Sequence, residues 1–189
     1  ASVELKSREL GLDLAGRPEA LTAVTRRVKE LEAGGWSFEA ADASFELLLA
    51  ELVEGRRPSY FDVESWRVIT ESHHAAGEEA PSEATVKLSA GGRRYVVTGE
   101  GNGPVSALDH ALRTAIGQAF PDVAGFGLND YRVRILDEAG GTDARIRVLL
   151  STTDGRSTWT TVGVGHNIVE ASWEALLDAF TYGLRQHHD

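Results

Sequence analysis

Tyr95-Val96-Val97-Thr98-Gly99-Glu100-Gly101-Asn102-Gly103-Pro104-Val105-Ser106-Ala107 and Trp159-Thr160-Thr161-Val162-Gly163-Val164-Gly165-His166-Asn167-Ile168-Val169-Glu170-Ala171 read as two copies of one unit. At one constant offset Gly99 and Gly101 match Gly163 and Gly165, and Val105 matches Val169. Ala107, Ala111, Leu112 and Ala115 likewise match Ala171, Ala175, Leu176 and Ala179. Both copies set a Gly-x-Gly bend between an extended segment and an amphipathic helix, so the unit is duplicated.

Working outward, the period stays at two on the amino-terminal side of each bend. In the first copy Trp66 and Val68 alternate with Arg67, and Val86 and Leu88 with Thr85, Lys87 and Ser89. Gly91-Gly92 then turns the chain into Arg93 to Gly99, and a helix runs from Pro104 to Phe120. His73 to Ala84, rich in Gly, Glu, Pro and Ala, reads as an exposed loop. In the second copy Tyr131, Val133 and Ile135 alternate with Arg132 and Arg134 over Asp130 to Asp137, and Ile146 and Val148 with Arg145 and Arg147 over Ala144 to Leu150. Asp154-Gly155 turns, Ser157 to Val164 is the third strand, and Asn167 opens the last helix. Each half is βββα, and two such units related by a pseudo-twofold axis can complete each other's core. The expectation is an α+β domain over 60–189, with repeat one at 60–120 and repeat two at 128–189.

Residues 1–59 carry a different period. Glu4 to Leu10 reads as a helix already under way, with no methionine before it, which suggests a piece of a longer protein. Leu21, Val24, Val28 and Leu31 recur at helical spacing after Pro18 and stop at Gly34-Gly35. Ser37 is the expected N-cap of a second helix with Phe38, Ala41, Phe45, Leu48, Leu49 and Leu52 on its apolar stripe, closed by Gly55. The short link, with Trp36 beside it, predicts an αα-hairpin. Gly55 to Ser59 is a linker.

The 189 residues, 42% hydrophobic and 25% charged, suffice for a real core. A net charge of −10 argues against nucleic acid as a partner, because phosphate binding needs a basic surface. No apolar run approaches the roughly 20 residues that span a bilayer, so no membrane partner is expected and the cytoplasm is the default compartment. With no cysteine, disulfides, thiolate nucleophiles and Cys-ligated zinc are excluded together.

The bends hold the most promising chemistry. Gly101-Asn102-Gly103-Pro104 puts proline at the first helical position. Gly165-His166-Asn167-Ile168 puts Asn167 at a cap with Glu170 three residues on. A glycine-flanked helix start offers free N–H groups to a carboxylate or phosphate, yet neither bend has P-loop or dinucleotide-fingerprint spacing, and such glycines equally serve the turn alone. His73-His74 and His187-His188 read as solvated pairs rather than metal ligands, and His110 as a surface residue. Ser151 and Ser172 lack a nucleophile-elbow context, and no catalytic centre is evident.

Gly35-Trp36-Ser37-Phe38-Glu39-Ala40-Ala41-Asp42-Ala43-Ser44-Phe45-Glu46-Leu47-Leu48 resembles the segment that follows the catalytic barrel in (R)-citramalate synthases, relatives of 2-isopropylmalate synthase and homocitrate synthase. Asp130 to Leu136 and Gly163 to Trp173 are similar to the carboxy-terminal regulatory domain of the same family. The Phe-Glu-Ala-Ala stretch favours the citramalate branch. The resemblance implies an enzyme that condenses acetyl-CoA with pyruvate on a divalent-metal-dependent barrel absent here, so this chain alone is expected to bind no metal or other cofactor and to catalyse nothing. It also implies a homodimer through the regulatory domain, an effector site near the dimer interface, and isoleucine as feedback inhibitor. Leucine is the effector in the isopropylmalate branch. A ligand-free dimerisation module and a site for another small anion, such as a 2-oxo acid or a nucleotide phosphate, remain the alternatives.

For a branched amino acid, Gly163, Gly165, His166 and Asn167 are the expected carboxylate cradle and Asp130, beside Tyr131, the ammonium partner. Val148, Leu150, Trp159 and Thr161 are the expected pocket or rim. The helical segment is then either an arm coupling the effector to the parent catalytic domain or a plain spacer.

Overall fold

Helices precede strands, as the change of period requires. The structure, a computed structural model, describes residues 2–71, 81–136 and 144–189. Helix α1 (Val3–Glu9) starts at Ser2, whose hydroxyl accepts from the Leu5 N–H. Helix α2 (Pro18–Ala33) carries Pro18 in its first turn, and α3 (Asp42–Glu54) closes at Gly55, where φ of 80° suits a residue without a Cβ. The expected hairpin is α2 and α3, with α1 against α2.

Ser37 is not the cap of α3. The helix starts only at Asp42, after a turn in which the Ala41 N–H donates to the Phe38 carbonyl at 3.2 Å. The reason is tertiary: Phe38 and Ala41 are buried, and Lys6 donates to the Phe38 and Glu39 carbonyls and pairs with Asp42 at 2.8 Å. Contacts from α1 thus fix the backbone that local pattern assigns to the helix.

Each half folds as βββα. Strands β1 (Phe61–Ile69), β2 (Ser82–Ala90) and β3 (Arg93–Gly101) form one antiparallel sheet in that order, followed by α4 (Pro104–Gly117). Strands β4 (Gly127–Leu136), β5 (Arg145–Thr153) and β6 (Thr158–Gly165) form the second, followed by α5 (Ile168–His188). Strand β2 begins at Ser82, so the expected loop to Ala84 ends earlier; small inward residues Ser82 and Ala84 pair with Gly101 and Gly99. His73, His74 and Asp137 lie outside the described residues. Helix α4 stops at Gly117 rather than Phe120, because Pro121 disfavours helical backbone in the residue before it and opens a 3-10 turn (Pro121–Gly125).

The two repeats share one core, in which Val86, Leu88, Leu108 and Leu112 meet Val148, Leu150 and Leu176. Helix α4 lies across all three strands of the first sheet, whereas α5 lies over β5 and β6. A second core holds the helical segment. Leu14, Val24, Phe45 and Leu49 close around Val162, which points away from α5, so α3 packs on the outer side of the second sheet. Each of these fully buried side chains contributes about 1.5–3 kcal/mol of hydrophobic stabilisation.

Candidate functional site

The duplicated glycines are explained first by packing. A Cβ on Gly163 would stand 2.0 Å from the Ala171 carbonyl oxygen and 2.7 Å from the Ala175 nitrogen, and one on Gly165 would stand 2.8 Å from the Ala171 nitrogen. Gly99 and Gly101 meet α4 in the same way, at 2.6 Å from the Ala111 nitrogen and the Ser106 hydroxyl. The helix following each strand approaches it too closely for any side chain. At the second bend the Asn167 side chain accepts from the Glu170 N–H at 2.9 Å, and the Glu170 carboxylate accepts from the His166 N–H at 3.2 Å. The His166 N–H of the proposed cradle, and the Glu170 N–H one turn into the helix, are therefore already partnered within the chain.

Strand alternation and register place the other sequence candidates. Trp159, Thr161, Gly163 and Gly165 stand opposite Thr152, Leu150, Val148 and Ile146, all on the side that α5 covers. Val148, Leu150 and Thr161 have no exposed surface, and Trp159 is buried. Trp159 donates its indole N–H to the Ala179 carbonyl at 3.0 Å and Thr161 its hydroxyl to that of Ala175 at 2.8 Å. In this chain these four fill the space beneath the helix. Asp130 pairs with Ser151, five residues along β5 from the partner of Gly165, or about 17 Å at strand rise. Its carboxylate accepts from the Tyr131 N–H at 3.0 Å and pairs with Arg132 at 2.8 Å. Tyr131 turns to the α5 side, where its hydroxyl meets that of Ser172 at 2.6 Å, and burial pushes its phenol up. The structure thus brings Gly165, His166 and Asn167 together and leaves Asp130 and Tyr131 elsewhere.

An open cavity of about 390 Å³ does lie at the bend. Its walls come from the end of α2 with Trp36, from Trp66 of β1, from Val164, Gly165 and His166, and from Glu170, Trp173 and Glu174 of α5. Trp66 and Trp173 stack at 5.4 Å. Arg145 reaches the rim and donates to the Gly34 carbonyl at 2.6 Å. Burial pushes the Glu174 carboxyl up, with repulsion from Asp178 and Glu170 adding to it and Arg57 opposing. Among the described residues no three His, Asp or Glu side chains are placed to hold a metal, and no helix is long and apolar enough to cross a membrane.

Residues 39–184 match the family model for the LeuA allosteric (dimerisation) domain. The chain belongs to that family. It is 56% identical over 184 residues to the (R)-citramalate synthase of Streptomyces coelicolor, covering 97% of this chain and 34% of that protein. The (R)-citramalate synthases of Aquifex aeolicus and Geobacter sulfurreducens are 42% and 39% identical, with 97% and 100% of this chain covered. The chain spans about a third of the length of these relatives.

Within this LeuA domain the cavity is suited to holding a small molecule with both charges: carboxylates for a cation, a guanidinium for an anion, and indole faces for an apolar group. Its volume lies in the range of about 300–1,000 Å³ typical of small-molecule sites. Reading the sequence finds Gly165 and His166 but not Trp36, Trp66, Trp173, Arg145 or Glu174 as wall residues. Three parts of the chain contribute them, and no local period marks residues that converge only after folding.

Proposed function

We propose that this domain is the regulatory part of a citramalate synthase and that it binds isoleucine, restraining condensation of acetyl-CoA with pyruvate on a divalent-metal catalytic barrel. Support comes from the match to an allosteric domain family and from the likeness of nearly the whole chain to (R)-citramalate synthases. One observation carries the choice of site: the corner cavity takes walls from the helical segment and from both repeats, so a ligand there contacts every part that inhibition must couple. The ammonium group sits against Glu170 and Glu174, whose mutual repulsion it relieves. The carboxylate faces Arg145, and the branched side chain lies on Trp36, Trp66 and Trp173.

Calorimetry with isoleucine tests this. Glu174→Gln and Glu170→Gln weaken binding about tenfold or more, while Asp130→Ala leaves it unchanged. The reverse pattern moves the site to the β4 side, where Asp130 and Tyr131 stand. A thermal-shift panel separates the effector readings: stabilisation by leucine rather than isoleucine selects the isopropylmalate type, by pyruvate another anion site, and by none of them a ligand-free dimerisation module.

A further inference from the structure

The corner that leads into α4 differs from its counterpart before α5. At the constant offset of the repeat Asn102 falls on His166 and Gly103 on Asn167, so the asparagine of the first corner stands one place earlier and is followed by glycine. The chain has three asparagines, and the fold sets each in different surroundings. Asn167 caps α5, its side-chain oxygen held by the Glu170 N–H at 2.9 Å, and the next nitrogen belongs to Ile168, whose branched Cβ crowds it. Asn129 lies within β4, where the next nitrogen belongs to Asp130, whose carboxylate opposes loss of a proton nearby. Asn102 lies between β3 and α4 and is exposed. Among the described residues neither its side chain nor the Gly103 N–H has a hydrogen-bond partner, while the Gly103 carbonyl is fixed by the Ala107 N–H at 3.0 Å. A Cβ at Gly103 would meet nothing within 4 Å, so the approach to its nitrogen is open.

We infer that Asn102 is a site of self-modification, where attack by the Gly103 nitrogen converts the side-chain amide to a carboxyl. Solvent base takes the Gly103 amide proton and the nitrogen bonds to the Asn102 Cγ. The bond from Cγ to the side-chain nitrogen breaks, releasing ammonia and leaving a succinimide ring. Water then adds to one of the two ring carbonyls, and the ring nitrogen takes up a proton as its bond to that carbon breaks. Opening at the side-chain carbon gives aspartate. Opening at the main-chain carbon routes the backbone through the side chain and gives isoaspartate. Nothing is oxidised or reduced, and water is the co-reactant. Either product sets a carboxylate just before α4, where the partial positive charge of the helix start favours it. Helix α5 already has Glu170 in its first turn, whereas α4 has no acidic residue there, so the modification supplies a charge that the first corner lacks. Isoaspartate also lengthens the main chain by a methylene group beside Gly101, at which a Cβ would stand 2.7 Å from the Ala107 nitrogen.

Incubation of the chain in mildly alkaline buffer, followed by peptide mapping, tests this. Asn102 takes on the mass change from amide to acid at least about tenfold faster than Asn129 or Asn167, with isoaspartate among the products. Gly103→Ala slows the conversion about tenfold or more, and Asn102→Gln abolishes the more acidic form on isoelectric focusing. The same incubation in urea separates the fold from the dipeptide. Because the corner is open, the rate at Asn102 in the folded chain stays within about tenfold of its rate in urea, whereas Asn167 reacts faster once its cap is lost. A folded chain in which Asn102 reacts more than about tenfold more slowly than in urea, or in which Asn167 keeps pace with it, overturns the inference. So does an acidic product without isoaspartate, since direct hydrolysis of the amide gives aspartate alone.

Discussion

A Cβ on Gly163 would press on the Ala171 carbonyl at 2.0 Å, while one on Gly103 would meet nothing within 4 Å. Both glycines lie in Gly-x-Gly runs, but in the repeat Gly163 matches Gly99 whereas Gly103 falls on the cap position of Asn167. Gly163→Ala is expected to cost about 3 kcal/mol or more, because the obstacle is helix backbone that moves only with all of α5. Gly103→Ala costs about 1 kcal/mol or less, the difference between a fair N-cap and a poor one. Urea denaturation of both variants checks the pair; equal losses would mean that α5 does not fix the bend. Asn167 was legible because a cap forms among neighbours in sequence. Ser37 was not, because what displaces the start of α3 is a lysine on another helix.

At the scale of elements, the β5–β6 hairpin is held by one carboxylate. Asp154 accepts from the N–H groups of Arg156 and Ser157 at 2.9 and 2.8 Å and from His187 of α5 at 2.9 Å. The Ser157 and Arg156 bonds, and then His187, hold its carboxyl well below the usual range. A carboxyl depressed on folding adds stability above its unfolded value near 3.8, and that contribution disappears as pH falls toward the folded value. Asp154→Ala should therefore lower the melting temperature at neutral pH, with the gap to the unmodified chain closing below about pH 4. A gap that stays constant down to pH 2 would place the contribution in shape rather than charge. The hairpin and the whole βββα order were legible, because strand alternation and turn glycines are local signals. Which face of β5 and β6 meets α5 was not: Leu149, Val162 and Val164 on one side are as apolar as Val148, Leu150 and Trp159 on the other. Both faces are in fact covered, one by α5 and one by the helical segment.

At the scale of the whole molecule, that double cover bears on whether the helical segment is a spacer or a coupled part. Ser44 of α3 donates its hydroxyl to Asp178 of α5 at 2.7 Å and accepts the Val162 N–H of β6 at 3.0 Å. Arg57, in the link to the first repeat, pairs with the same carboxylate and with Glu51 at 3.2 Å. Burial pushes Asp178 up, and Arg57 and Ser44 pull against it. Arg145 and Arg147 of β5 add their guanidinium groups to the Gly34 and Gly35 carbonyls at the end of α2, where the helix presents partial negative charge. A segment tied down at both ends in this way is expected to move with the second sheet, as the coupling-arm reading proposed above requires. Ser44→Ala leaves a buried carboxylate oxygen and a buried N–H without their partner and should cost about 2–3 kcal/mol. Its more telling effect is on amide exchange. In the unmodified chain the α3 amides and the β6 amides are expected to share one opening free energy, and in Ser44→Ala the α3 amides open earlier. If α3 exchanges independently of β6 before any substitution, the segment is only a spacer, and a ligand at the corner cavity would have no rigid path through it.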